Sequence, residues 1–196
     1  MLSTKIKEAT RVPHQQVEKK VVLRIKAIRN EADYANLLTH FYAYFNAVEK
    51  AVAPYITTEI LPDLAERRNS SYIKADIEAL GACVDELPDC LTPAINNIPQ
   101  AIGALYVLEG SIMGGPYIVQ MLEKAGLSKG FSFFSGYGEA SGQKWALFTE
   151  VLNNIAKSEN EEALVIQSAH DTFLRFGDVF GEVEVAKAVP RPSSTI

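Results

Sequence analysis

Two stretches of the chain carry residue types that could do chemistry at helical spacing. In the first, "IKEATRVPHQQVEKK", Lys7, Arg11, His14 and Glu18 follow one another at intervals of four, three and four. On a helix that spacing places two cations, an imidazole and a carboxylate on one stripe. The cations could meet an anionic ligand, and the imidazole could reach a metal that the ligand carries. Each residue also has an ordinary reading: Lys7 and Arg11 as solvated surface cations, His14 as a partly buried core histidine.

The second stretch, "LYVLEGSIMGGPYIVQML" from Leu105 to Leu122, is apolar and helical in character yet holds Gly110, Gly114, Gly115 and Pro116. An interior glycine costs ~1 kcal/mol relative to alanine, so three of them cost ~3 kcal/mol, and the proline adds a kink or a break. Three explanations compete. "GGP" could end one helix and start another. Small residues could let a neighbouring helix approach closely. Or the glycines could bare the backbone to a flat ligand, since Gly110 and Gly114 are four apart on one face.

Most ready-made enzyme signatures are absent. There are three histidines, and no H-E-x-x-H, paired Glu-x-x-His, P-loop or Rossmann glycine motif occurs. Cys83 and Cys90 match neither a zinc pair nor a redox pair, and read as thiols in a reducing compartment. A net charge of -5 with scattered Lys and Arg gives no case for nucleic acid or an anionic membrane surface. The charged N-terminus lacks the apolar run of a secretory signal, and no stretch reaches the roughly 18 apolar residues of a membrane span. The expected location is cytoplasmic, and the expected partner a small molecule or a protein.

Length and 47% hydrophobic content suit one buried core, taken as residues 1–185 with a frayed tail over 186–196. Periodicity predicts an all-α fold. One helix face recurs from Glu31 to Val52 through Tyr34, Leu37, Leu38, Phe41, Phe45 and Val48. Shorter helices are expected over Thr57–Arg68 and Ser71–Ala82, then a loop over Asp85–Ile98. Glycines and serines interrupt "KAGLSKGFSFFSGYGEASGQKW", after which helices resume from Ser141 and from Glu161 to Val183. Pro13 fits if Thr10 caps a new helix whose first turn holds the proline, which bends the His14 stripe at Thr10.

Set side by side, "IKEATRVPHQQVE" and "LYVLEGSIMGG" resemble the two haem-contacting helices of the haem oxygenase family. The stretches "FFSGYGEASGQKWALFTEVL" and "ALVIQSAHDTFLRF" resemble its bacterial, biliverdin-forming branch associated with phytochromes. The resemblance implies a single-domain helical bundle that cleaves haem to biliverdin, carbon monoxide and ferrous iron with O2. Haem would be both cofactor and substrate. Electrons would come from a separate ferredoxin- or flavoprotein-type reductase, since no flavin or nicotinamide motif occurs. It further implies that His14 binds the haem iron, that Glu18 orients its ring, and that Lys7 and Arg11 lie near the propionates. Gly110 and Gly114 would flank the bound oxygen, with Met113 and Gly115 completing that wall and Phe173 packing near the haem edge.

Two positions depart from the family pattern. Ser111 stands where animal members carry an acidic residue that holds the water network protonating bound oxygen. A hydroxyl cannot carry the charge that strengthens such hydrogen bonds. Glu150 stands near where animal members draw a basic propionate contact. These departures keep open a non-catalytic haem-binding, storage or sensing protein of the same fold. A small-molecule hydrolase of similar architecture would need a cysteine nucleophile with nearby partners, which Cys83 and Cys90 lack in sequence.

Overall fold

The computed structural model describes residues 1–181, so the tail boundary at 185/186 lies outside the described residues. Helices α1 (Leu2–Ala9) and α2 (Arg11–Ala27) meet at Thr10, where φ is -96° and ψ 4°. The stripe is bent there, as the proline requires, but the threonine works backwards. Its hydroxyl donates to the Ile6 carbonyl at 2.7 Å and closes α1 rather than capping α2. Pro13 lies in the first turn of α2, where a missing N–H leaves no helical bond unmade.

Helix α3 (Glu31–Val52) is capped by Asn30, whose side chain accepts from the Asp33 N–H at 2.9 Å. It buries the face that the periodicity picks out. Phe41 and Phe45 meet Phe133 and Phe176 in mostly edge-to-face pairs at the centre of the core.

The helix expected over Thr57–Arg68 does not form. That segment is a run of turns with one 3-10 turn at Leu64–Glu66. Pro62 withholds a helical donor, and Arg67 and Arg68 turn inward to partners on other elements. Helix α4 (Ser70–Ala79) ends three residues short of the expected Ala82, ahead of Gly81 at φ +79°.

Helix α5 (Ile98–Gly110) begins with Asn97 accepting from the Gln100 N–H, and every residue from Ala101 to Glu109 is buried. A Cβ at Gly103 would collide with the Val165 carbonyl, so α5 lies backbone to backbone on α9 (Glu159–Val179). The long helix of the opening pattern is therefore three pieces: α5, a 3-10 turn at Ser111–Met113, and α6 (Gly115–Lys124), bent by 46°. A short α7 (Ser132–Ser135) and α8 (Ser141–Ile155) complete the bundle. No strand occurs among the described residues. No single described helix is long and apolar enough to cross a membrane; the bent α5–α6 pair passes by composition, and α5 is a core helix.

Candidate active site

His14 lies in the first turns of α2, its N–H donating to the Thr10 carbonyl at 3.0 Å and its side chain exposed. Its ring rests on Phe173 of α9, with centroids 5.1 Å apart and planes at 48°. Phe173 is itself buried, so a fixed aromatic surface sits beside a ring whose nitrogens no described side chain occupies. Lys7 and Arg11 are exposed on the same stripe and enter no ion pair among the described residues. Glu18 is exposed one turn beyond and makes no hydrogen bond to His14, so the orienting contact expected of it is not formed directly.

Across from this stripe is the break in the α5–α6 helix. Tyr106 of α5 neighbours Thr10 at the α1–α2 bend, one turn ahead of both Gly110 and His14. Helix α2 touches α6 as well. The two candidate stretches are thus brought face to face.

The four residues of the break behave differently. Gly114 is exposed, and a Cβ there would find only the Ser111 carbonyl, at 3.9 Å. Gly110 is half-buried beside Trp145 of α8, whose ring a Cβ would meet at 3.6 Å, an ordinary contact. Met113 is 51% exposed. Gly115 departs from expectation: it is buried, and a Cβ would collide with the Phe134 carbonyl of α7. Its missing side chain serves packing between α6 and α7, not an open wall.

Ser111 is more constrained than its sequence position suggests. Its Oγ accepts from the Arg68 guanidinium at 2.6 Å and donates to the Leu108 carbonyl at 2.6 Å. The same guanidinium donates to the Leu108 carbonyl at 3.2 Å and the Phe133 carbonyl at 2.6 Å, and covers the Phe133 ring at 3.9 Å. The Leu108 carbonyl near the end of α5 and the Phe133 carbonyl of α7 thereby share one buried cation. Burial lowers Arg68 to about 10, with Glu109, Tyr137 and Glu49 opposing that shift, so it stays charged at neutral pH.

Behind it lies a network that the sequence did not announce. Glu109 pairs with Arg67, whose Nε also donates to Asp63 at 2.8 Å. Lys144 bridges Asp63 at 2.9 Å and Glu66 at 2.8 Å. The Tyr137 hydroxyl accepts from the Arg68 N–H at 2.9 Å. Burial pushes Glu109 above the ordinary carboxylate range, with Arg67, Arg68 and Tyr137 opposing. Two signals were available: a lone acid in an otherwise apolar run, and adjacent arginines where the periodicity lapses. Lys144 is the only cation of α8 and is engaged, whereas Lys7 and Arg11 beside His14 enter no ion pair among the described residues.

A sequence profile of the family described as heme oxygenase matches residues 1–182. The chain belongs to the haem oxygenase family. Among relatives, it is 27% identical over 180 residues to "Heme oxygenase PigA" of Pseudomonas aeruginosa, covering 90% of each chain. It is also 27% identical over 145 residues to a heme oxygenase of Xanthomonas campestris pv. campestris, covering 73% of this chain and 86% of that one. In fold it is similar to the NO- and CO-bound heme oxygenase of Neisseria meningitidis, with a TM-score of 0.74 at 21% identity over 97% of this chain and 98% of the other. The all-α fold of this haem oxygenase is thus seen both in its own helices and in a structural relative.

Proposed function

We propose that haem, the substrate of this haem oxygenase, lies flat between α2 and the break at Gly110–Gly114, held by a neutral His14 imidazole. There it is opened oxidatively to biliverdin, carbon monoxide and ferrous iron. The observation that carries this placement is the exposed Gly114 face, where the 3-10 turn meets α6: no atom of the described residues needs the space where its side chain would be. Phe173 fixes the plane of the His14 ring from one side. Lys7 and Arg11 are placed to meet the carboxylates at the haem edge. Met113 and Gly110 border the distal face.

Bound haem supplies an iron that activates O2, with electrons from a separate ferredoxin- or flavoprotein-type reductase. The chain's own contribution is to exclude water, hold the ring and place hydrogen bonds. Ser111 has its proton on the Leu108 carbonyl and one lone pair on Arg68, which leaves it an acceptor for a distal water. A non-catalytic storage role drew its support from the lack of charge at this position. The Arg68 guanidinium at 2.6 Å supplies charge there, and the case for storage weakens.

Titrating purified protein with haemin should raise a Soret band, and reductant with O2 should convert it to biliverdin absorption. A stable oxygen complex that never progresses would leave haem binding standing and overturn turnover. No Soret change would overturn both. In His14→Ala the iron–protein bond should be lost; an unaltered haem spectrum would show the ligand to be another residue.

A further inference from the structure

A cavity of about 440 Å³ lies behind α5, walled by Phe45, Leu105 and Leu108 and, at its polar end, by Glu49, Arg67, Arg68 and Glu109. The cavity is open-sided and mostly apolar, and at its polar end it has room and partners for water. Glu109 precedes Gly110 directly and has a side chain only 5% exposed. Its Oε2 receives Arg67 and lies 3.4 Å from the Tyr137 hydroxyl, while no donor among the described residues reaches Oε1. The neighbouring Glu49 differs, because the Ser70 N–H and hydroxyl occupy both its oxygens at 2.8 and 2.5 Å. Of the two carboxylates that line the cavity, Glu109 alone therefore has an oxygen with no donor among the described residues, and it stands two positions from Ser111.

Haem opening consumes protons, and the groups around Ser111 differ in their ability to supply them. Arg67 and Arg68 hold hydrogen bonds but keep their protons at neutral pH. The Tyr137 phenol is pushed up to about 12 by burial and by Glu109, which makes it a poor donor. Glu49 is committed to Ser70. Glu109 remains.

We propose that Glu109 passes protons between solvent and the distal side of the haem cleft, its Oε1 exchanging with cavity water that hands them on past Ser111. A proton leaves the carboxyl for water as another water-borne proton reaches the Ser111 side, and the carboxylate is reprotonated from solvent; no electrons move. Glu109 acts through Ser111 and is a positioning residue rather than a catalytic one. The groups facing it are Arg67 and Arg68 ahead of α4, Tyr137 ahead of α8 and Glu49 on α3.

This inference rests on the haem placement proposed above, and the test separates the two. Glu109→Gln alone leaves the buried Arg67 with Asp63 as its one remaining carboxylate partner among the described residues. The informative variant is therefore E109Q with R67M, which removes both charges, beside E109D, which keeps the carboxylate. All should bind haemin with a normal Soret band. In E109Q/R67M, decay of the oxygen complex should slow by about 100-fold and lose its acid dependence, and E109D should recover most of both. In ligand-free protein, the acid-minus-neutral infrared difference spectrum should lose one protonated-carboxyl band in E109Q/R67M and keep it in E109D. A double variant with wild-type decay and pH profile, or an unchanged infrared spectrum, would assign Glu109 a packing role only and overturn the proposal. A wild-type protein that binds haemin without converting it would overturn the proposed turnover instead, and with it any role for a proton path.

Discussion

Gly103 and Gly115 differ from Gly110 and Gly114, although all four occupy the same broken α5–α6 helix. At the first pair another backbone fills the place of a side chain: the Val165 carbonyl at Gly103, the Phe134 carbonyl at Gly115. At the second pair nothing among the described residues demands the space. One kind of glycine is explained by close packing within the fold, and the other is not. A glycine-rich helix is therefore not one signal but two, superposed in a single stretch.

The contrast can be broken by substitution. Gly115→Ala should have the largest effect, destabilising by about 3 kcal/mol as the overpacked α6–α7 contact is forced apart. Thermal melting should show a fall of roughly 6–12 °C for a chain of this size. A melt equal to wild type would place Gly115 with the cleft glycines after all.

Ser111→Ala should cost less, about 1–3 kcal/mol, because the Arg68 guanidinium loses one buried partner and keeps its two carbonyls. Chemical denaturation would measure it.

Asp63→Asn should act mainly in acid. Burial raises that carboxyl, but Arg67 and Lys144 outweigh it and hold it below its ordinary value. Its contribution is complete above the unfolded value of ~3.9 and is lost as pH falls through the lower folded one. A plot of Tm against pH should flatten at its acid end in the variant, and an unchanged acid limb would show that the Arg67–Asp63 link adds nothing.

Gly114→Ala should be the mildest for the fold, within about 0.5 kcal/mol of neutral, because Gly114 stands exposed ahead of α6 with space around it. It sharpens the comparison most, since haemin affinity should fall while the melt does not. Equal affinity in that variant would remove the reason for calling the face cleared.

Much of this was legible in the chain. The α3 face, the bend at Thr10 and the break near Gly110 follow from periodicity and from the residues that punctuate helices. Lys7, Arg11 and His14 lie exposed along the bent α1–α2 stripe that their spacing describes. What was not legible depends on contacts distant in sequence. Gly115 reads like its neighbour Gly114 until Phe134, nineteen positions on, supplies a carbonyl. Thr57–Arg68 has helical periodicity, but the hydrogen bonds of Arg67 and Arg68 to α5 and to the Phe133 carbonyl hold it in another path. Ser111 looks like a lost charge in one dimension and sits against a guanidinium in three.

Trp145 gives the molecule a gauge of its own. It is the chain's only tryptophan, half-buried with its indole stacked on Phe148 and tilted against Tyr106, at ordinary contact distance from where a Gly110 side chain would be. Its fluorescence has a single origin, beside the helix break at Gly110. An absorbing ring seated there would drain that emission, and its departure would restore it. Arrival and release can therefore be followed in real time on the unlabelled protein, with no substitution to disturb the site being watched.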